Sequence, residues 1–424
     1  MRFRRRPSGL FLPEHEVRGF RGVGARGLAS IAVSRKTVAV GAQGGGGGGA
    51  DAGQSTVAVS RSVMGLNRPN GATAYTSTIT LTARDSAGDL VGAGGATVAF
   101  DLGAGTSVGT IGAVTDVGDG TYTATFTPTG TGTPRTVTAT VNGATVTTSM
   151  PTITVAWFEV DFSEWDDTTA LLLTTSSPTP TGNPWRSNTI GSGGAITLEI
   201  DGGYGTSTKR MRYAYPTGEG IAGQCDNYFI SRNLLQGYTP LRTMGQLWTE
   251  WVAKWDSNWS TIQGPTWACF GSFTDHKFCA VQVWPDPSPS ADFSTGHDQF
   301  RIKVGSNDGT QLRQAAPDEV DPSTELQCNE AVGFDVTTLF DAGWHTLRQQ
   351  MDAANDVPAP YRIWVDGVRK HSLQAPTRTS IAALSAMTGF EYFAFGANRN
   401  DWAREAMGLD WGRLLVFDND PGWT

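Results

Sequence analysis

Gly343-Trp344-His345-Thr346-Leu347-Arg348, followed after a loop by Tyr361-Arg362-Ile363-Trp364-Val365-Asp366-Gly367-Val368-Arg369, decides how most of this chain is read. In the second run Tyr361, Ile363 and Val365 fall on one side, and Arg362, Trp364 and Asp366 on the other. That period of two marks a strand with one face in a core and one towards something polar. The stretch between, Gln350 to Pro360, is rich in Asp, Ala, Asn and Pro, so the two runs form a hairpin around it. Asp366-Gly367 then predicts a tight turn, because Gly takes positive φ at no steric cost.

The order Gly-Trp-His, strand, loop, strand, Trp-Val-Asp-Gly resembles the late hairpin of concanavalin A-like jelly rolls. Lectins, laminin-G modules, glycanases and some polysaccharide lyases share that sandwich. The resemblance implies a double-sheet jelly roll over residues 156–424, with about 12 or more strands. Its strongest part spans Gly343 to Val416. Phe390 to Phe395 and Gly408 to Phe417 read as closing strands, and the resemblance puts the last strand beside the first, Phe158 to Phe162.

Composition agrees with an all-β chain. The 424 residues include 53 Gly and 14 Trp, and only 17% are charged. Such a length accommodates two or three cores, and Gly/Thr/aromatic-rich sequence with few helix-forming runs reads as strands. No apolar run approaches the roughly 20 residues that cross a bilayer, so no membrane partner is expected. Net charge is −8 but unevenly placed: residues 1–50 carry nine Arg and Lys against Glu14 and Glu16, leaving 23 basic and 38 acidic residues in the rest. A basic arm on an acidic body suits docking onto an acidic partner and argues against nucleic-acid binding by the body.

Cys225, Cys269, Cys279 and Cys328 are too few for a disulfide scaffold. Cys269 and Cys279 flank what reads as a hairpin, where pairing and small buried thiols are the two readings. Without Cys-x-x-Cys or clustered Cys and His, no zinc site is expected. No cofactor is expected either; calcium on loop aspartates such as Asp166 and Asp167 has no loop motif behind it.

Residues 1–43 form a basic arm with isolated apolar residues, and Arg4, Arg5, Arg6, Phe11 and Phe20 are its candidate anchoring contacts. A segment with no core of its own orders only against a partner. The charged start, Met1 to Pro7, is followed by no apolar run, so no secretory signal is expected. Residues 44–53, opening with an uninterrupted glycine run, read as a flexible linker.

Residues 54–155 carry short alternating strands at regular spacing, the pattern of a Greek-key sandwich. Thr78 to Ala83 alternates, Val98 and Phe100 share a face, and Tyr122, Ala124 and Phe126 point inward. Asn142-Gly143 is a strong hairpin signal. The succession Arg-Asp-Ser-Ala-Gly-Asp, Asp-Gly-Thr-Tyr-Thr-Ala, Thr-Val-Thr-Ala-Thr-Val-Asn-Gly resembles bacterial immunoglobulin-like domains of the invasin/intimin type. It implies a spacer or weak adhesin, with Tyr122 as a tyrosine corner whose hydroxyl ties a loop to the backbone.

Three groups of residues bear on chemistry. Glu159-Val160-Asp161-Phe162-Ser163-Glu164 fits Glu-x-Asp-x-x-Glu, which resembles the strand motif of laminarinase-like glycanases. There Glu159 would be the nucleophile, Asp161 its modulator and Glu164 the acid/base, with carboxyls about 5 Å apart. In that family the motif lies on a central strand, whereas here it opens the domain, so none of the three is favoured as catalytic. Trp248, Trp251, Trp255 and Trp259 make an aromatic run: Trp248 and Trp251 suit a core, while Trp255, Asp256, Asn258 and Trp259 suit a sugar-binding rim. Asn398, Arg399 and Trp402 form a further candidate carbohydrate-binding loop, with Asp275-His276-Lys277 of lower rank. His345, Arg348, Tyr361 and Arg362 could be cast as a lyase set, although His345 after Trp344 is a recurrent strand residue in the fold it resembles.

These readings imply an immunoglobulin-like sandwich plus a concanavalin A-like jelly-roll sandwich, with an extended N-terminal arm. The expected role is a non-enzymatic bacteriophage virion surface protein, a capsid decoration or fibre. Its arm would dock on major capsid or tail proteins, its head on host surface glycans, and a homo-oligomer would add avidity. The alternatives are a tail-associated glycoside hydrolase or polysaccharide lyase, and a bacterial cell-surface adhesin.

Overall fold

A computed structural model describes residues 49–190, 194–215, 228–258, 280–286, 300–304, 312–316, 326–327, 336–352, 355–356, 361–372, 388–399 and 406–423. The arm contacts Arg4, Arg5, Arg6, Phe11 and Phe20, the four cysteines, Asp275-His276-Lys277, Trp259 and Trp402 lie outside the described residues. What is described is all-β apart from short helical turns.

The first module uses β1 (Thr56–Val59), β2 (Val63–Asn67), β3 (Ser77–Thr82), β4 (Val98–Leu102), β5 (Val108–Ile111), β6 (Thr115–Asp116), β7 (Thr121–Gly130), β8 (Arg135–Val141), β9 (Ala144–Thr145) and β10 (Thr152–Val160). One sheet runs β1-β3-β7-β5, and β4, β8, β10 and β2 face it. Ile79, Leu81, Tyr122, Phe126, Val137 and Ala139 fill the space between. Asn142 and Gly143 both have positive φ and close a two-residue hairpin between Val141 and Ala144, as that dipeptide predicts. The Tyr122 hydroxyl accepts the Ala96 N–H at 2.8 Å, the backbone tie expected of a tyrosine corner.

The second module uses β11 (Trp185–Ile190), β12 (Ala195–Glu199), β13 (Arg210–Tyr215), β14 (Tyr228–Leu234), β15 (Gln246–Trp255), β16 (Ala280–Asp286), β17 (Phe300–Val304), β18 (Leu312–Ala316), β19 (Leu326–Gln327), β20 (His345–Asp352), β21 (Tyr361–Val365), β22 (Val368–Ser372), β23 (Gly389–Arg399) and β24 (Met407–Phe417). One sheet reads β22-β21-β20-β15-β24, with β13 and β10 sharing the far side of β24; the other reads β11-β14-β23-β16-β17-β18-β19. The hairpin that opened the sequence reading is β20–β21, with Leu347 opposite Val365 and Met351 opposite Tyr361. Asp366 and Gly367 take positive φ at the next turn. The last strand does lie beside the first, Phe158 opposite Val416.

Phe395 is the hub between the sheets. Its ring meets Trp251 at 4.8 Å, Trp411 at 5.2 Å, Trp185 at 5.7 Å and Phe162 at 5.9 Å. Edge-on aromatic packing of this kind adds about 0.5–1.5 kcal/mol per pair beyond burial.

β10 belongs to both modules. Thr152 and Ile153 pair with β8, Thr154 to Phe158 run parallel to β2, and Phe158 to Val160 pair with β24. Residues 155 and 156, where the sequence places the module boundary, are consecutive residues inside this strand. Ala156, Trp248, Leu415 and Phe417 form an apolar seam there, against Val63 and Trp423.

Among the described inner-facing side chains is a cationic one. Arg232 sits opposite Asn188 and Phe395 in its sheet and is fully buried. Its guanidinium lies 3.8 Å from the Trp185 ring centroid, and Nε donates to Asn188 Oδ1 at 2.7 Å. Nη1 and Nη2 meet no acceptor among the described residues, and burial holds the pKa down at about 9. Burying a charge without an ion partner is costly, and an apolar residue of similar volume avoids that desolvation. Arg232→Met is therefore expected to raise the calorimetric unfolding midpoint. A lower midpoint would mean that something compensates the charge.

Candidate functional site

Alternation along β10 fixes where the acidic motif points. Phe158 and Val160 enter the jelly-roll core, so Glu159 and Asp161 turn away from it, towards the immunoglobulin-like module. Glu159 has no exposed surface. Its Oε1 pairs with Arg61 Nη1 at 2.8 Å, and its Oε2 accepts the Gly65 N–H at 2.8 Å. Only glycine permits that approach, since a Cβ at Gly65 would lie 2.3 Å from Glu159 Cβ.

Phe162 takes a φ of 66°, a left-handed turn that brings Glu164 round beside Asp161. Arg68 Nη2 reaches Asp161 at 2.9 Å and Glu164 at 3.0 Å. The Tyr75 hydroxyl donates to Asp161 at 2.5 Å, and the Arg61 and Arg68 guanidiniums lie 3.7 and 3.9 Å from the Tyr75 ring centroid. Burial raises Glu159 despite the nearby Arg61 and Arg413 charges. Burial also pushes Glu164 up to about 8, reinforced by the Asp161 charge. Asp161 is pulled upward by burial too, but hydrogen bonds from Ser163 and Tyr75 and the Arg68 charge hold it below its ordinary value. The three carboxyls therefore clamp one module to the other. A glycanase nucleophile must face a sugar, and Glu159 faces Arg61.

The open polar surface lies on the outer side of β13, β24, β15 and β20. Strand β15 places Trp251, Ala253 and Trp255 inward, leaving Glu250 and Lys254 outward. β24 carries a bulge at Gly412, opposite the step from Val252 to Ala253. Tyr204 and Trp344 press against this glycine: a Cβ there would lie 2.6 Å from Tyr204 Cβ and 2.8 Å from the Trp344 ring. The two rings meet edge-on at 5.8 Å. Lys254 Nζ lies 4.9 Å from the Trp344 centroid and the Arg413 guanidinium 5.2 Å from that of Tyr204, both within cation–π reach. Beside them is a cleft of about 250 Å³ between the modules, walled by Ser60 to Val63 on one side and by Asp161, Tyr204 to Thr206 and Arg413 on the other.

Several expected sugar contacts are elsewhere. Trp255 is fully buried, edge-on to Phe340 and tilted against His345, both at 6.4 Å, so it is a core residue and not a rim platform. It shares the inward parity of Trp251, which a Trp near a strand end does not reveal by itself. Asp256 is held by Arg212 at 2.6 Å, and Asn258 Nδ2 donates to the Ala406 carbonyl at 3.0 Å. Asn398 and Arg399 end β23, opposite Phe229 and Tyr228. His345 is fixed between Asp366 at 2.9 Å and Asp341 at 3.1 Å. Arg348 pairs with Glu250 at 2.8 Å, the fully buried Tyr361 hydroxyl accepts from Gln349 at 2.7 Å, and Arg362 sits half-buried on the opposite face from Tyr361. That separation of Tyr361 from Arg362 dismantles the lyase set. Asp167 caps the short helix Thr168–Leu172, and Asp166 lies 3.9 Å from Lys209. Among the described residues no three His, Cys, Asp or Glu gather as metal ligands.

Sequence reasoning missed Arg61, Tyr204 and Lys254 as site residues. Lys254 shares its parity with Trp248 and Glu250, and its outward face shows only in the register with β24 and β20. For Arg61 and Tyr204 no local signal exists, because both reach the site from distant loops.

A family model described as invasin, domain 3, matches residues 48–157, which covers the first module and ends within β10. No curated protein matches the chain. Among solved structures, the chain is similar to an endo-β-1,4-glucuronan lyase from the fungus Trichoderma reesei, at 12% identity and TM-score 0.36 over 55% of this chain and 90% of that one. It is also similar to an alginate lyase in complex with an alginate tetrasaccharide, at 6% identity and TM-score 0.36 over 61% and 96%. A third is the carbohydrate recognition domain of Emp47p, at 13% identity and TM-score 0.29 over 58% and 93%.

The clamp generates a pH dependence. Glu164 keeps its proton in the native state up to about 8, while the unfolded chain releases it near the ordinary 4.5. The stabilisation from this raised group is complete below 4.5 and is lost as pH rises towards 8, at up to about 1.4 kcal/mol per pH unit. In Glu164→Gln that slope is expected to flatten, as judged by denaturant midpoints at pH 5 and pH 8. An unchanged slope would show Glu164 to be ionised against Arg68 throughout.

Proposed function

We propose that this protein is a non-enzymatic attachment protein whose jelly roll presents a glycan-binding face. The single observation that carries this reading is the Tyr204–Trp344 pair, half-exposed over Gly412 on an otherwise polar sheet face. Sugar rings dock on aromatic rings through their apolar C–H faces, while neighbouring polar groups bond the hydroxyls. Thr206 and Ser62 supply such groups along the adjacent cleft. The carboxylates that would have served hydrolysis are committed to the module junction, which favours binding over cleavage.

The setting we propose is the surface of a bacteriophage particle, as capsid decoration or fibre. The basic arm and glycine run support it: residues 1–43 bring positive charge to an acidic body and suit docking on an acidic capsid or tail protein. Several copies on one particle would turn weak individual glycan sites into firm attachment. The immunoglobulin-like module, joined through β10 and the clamp, then orients the head.

The test is a glycan-panel pull-down with the full chain beside an assay for reducing ends and unsaturated products. Trp344→Ala is expected to weaken capture about tenfold, the loss of roughly one ring-stacking contact, with little change in melting. Release of cleaved product from any glycan would overturn the non-enzymatic reading, and unchanged capture by Trp344→Ala would overturn this site.

A further inference from the structure

We infer that the ligand of this face is an uncharged glycan, and that the paired charges around the aromatic rings turn away both acidic and amino sugars. The inference rests on the glycan-binding reading above and adds the class of sugar that the site selects.

The cations flanking the rings are already bonded to carboxylates. Arg210 pairs with Asp410 at 3.2 Å and Asp201 at 3.3 Å, and Arg212 with Asp256 at 2.6 Å and Asp410 at 3.0 Å. Lys254 meets Asp410 at 3.2 Å, while Arg413 and Arg348 share Glu250 at 2.5 and 2.8 Å. Glu199 stands opposite Arg210 across the β12–β13 pair, on the same face. Arg210, Arg212, Lys254, Arg348 and Arg413 are thus matched by Glu199, Asp201, Glu250, Asp256 and Asp410, one carboxylate for each cation. In the cleft, Arg61 is likewise bonded to Glu159, and Asp161 to Arg68. An acidic sugar would have to displace a carboxylate from its cation before it gained a partner, and would leave that carboxylate unpaired.

Which charges lie outermost sets a second barrier. Asp201 has 88% of its side chain exposed and Asp256 33%, against 26% for Arg212, 20% for Lys254 and 15% for Arg210. Carboxylates therefore meet an approaching ligand first, on a chain of net charge −8, and oppose an acidic sugar. An amino sugar is opposed at the rings themselves. Lys254 and Arg413 lie 4.9 and 5.2 Å from the Trp344 and Tyr204 centroids, so an ammonium on a stacked sugar would sit beside a like charge. An uncharged pyranose meets neither obstacle. It lays its C–H face on the rings, and its hydroxyls find hydroxyl partners in Ser60, Ser62 and Thr206, exposed along the cleft.

The experiment is calorimetric titration of the full chain with oligosaccharides of matched length. Cello-, manno- and malto-oligosaccharides are the neutral probes, an alginate oligomer the acidic one and a chitosan oligomer the amino one. All are run at about pH 6, where uronates and amino groups both carry charge, in about 50 and about 300 mM NaCl. At least one neutral oligomer is expected to bind about tenfold or more tightly than alginate and chitosan. Its affinity should change less than about twofold between the two salts, because screening acts on charged ligands. Asp201→Asn, at an exposed position, is expected to strengthen alginate binding about threefold at low salt by removing an outward carboxylate, with melting curves checking its fold. Tightest binding of alginate or chitosan, or equal affinity for all, would overturn this inference and leave the glycan-binding reading standing. Binding of none of the probes would overturn both. Alginate binding unmoved by Asp201→Asn would overturn the part assigned to the outward carboxylates.

Discussion

A single strand has to serve two cores, and most of this structure follows from how β10 does it. Ile153 and Val155 fill the immunoglobulin-like sandwich, whereas Phe158 and Val160 fill the jelly roll. Inward residues therefore change parity near Ala156, and from there the odd positions look back at the first module. Glu159 and Asp161 occupy those positions. Once β2 runs alongside, both carboxyls are shut away from water, and a buried carboxyl needs either a cation or a proton. Arg61 and Arg68 supply the first, and Glu164 takes the second. The acidic motif is thus a consequence of joining the sandwiches without a hinge.

Buried ion pairs of this kind add little net stability, because desolvating the charges offsets most of their attraction. What they add is selectivity among arrangements. Any other docking of the first module would leave three carboxyls and two guanidiniums buried without partners, several kcal/mol each by the usual penalties. The apolar seam of Ala156, Trp248, Leu415 and Phe417 supplies the attraction, and the clamp selects one geometry for it. The cleft exists only because that geometry is held, since its two walls belong to different modules.

What could be read from sequence was what depends on neighbours in the chain. Asn142-Gly143 and Asp366-Gly367 set their turns through backbone conformation alone, and Tyr361, Ile363 and Val365 declared their face through alternation. Tyr122 was legible only through the resemblance to immunoglobulin-like domains, since its partner Ala96 lies 26 residues away. Glu159, Asp161 and Glu164 were visible as a pattern, but their meaning hangs on Arg61 and Arg68, more than 90 residues earlier. Trp255 was misplaced for a related reason. A tryptophan near a strand end looks alike on either face until the register with β24 and β20 is known, and that register puts it in the core. The same register turns its neighbour Lys254 outward, so the error and the missed residue have one cause.

The outer face then poses a question of its own: why should the cations flanking the ring pair be held on carboxylates? Arg and Lys side chains each carry about 2 kcal/mol of rotamer entropy, which a flexible surface residue would lose on holding a ligand. Asp410, fixed in the strand and nearly free of solvent, removes that loss in advance by holding Arg210, Arg212 and Lys254 in one place. Asp201 and Asp256 hold Arg210 and Arg212 from the solvent side as well, so the cluster is a charge-balanced network. Glu250 likewise holds Arg348 and Arg413. Gly412 completes the arrangement from the backbone side: only where the strand bulges and lacks a Cβ can Tyr204 and Trp344 settle between the two cation groups. Charges already ordered in pairs and rings seated on a bare strand are the features of a surface built before its ligand arrives.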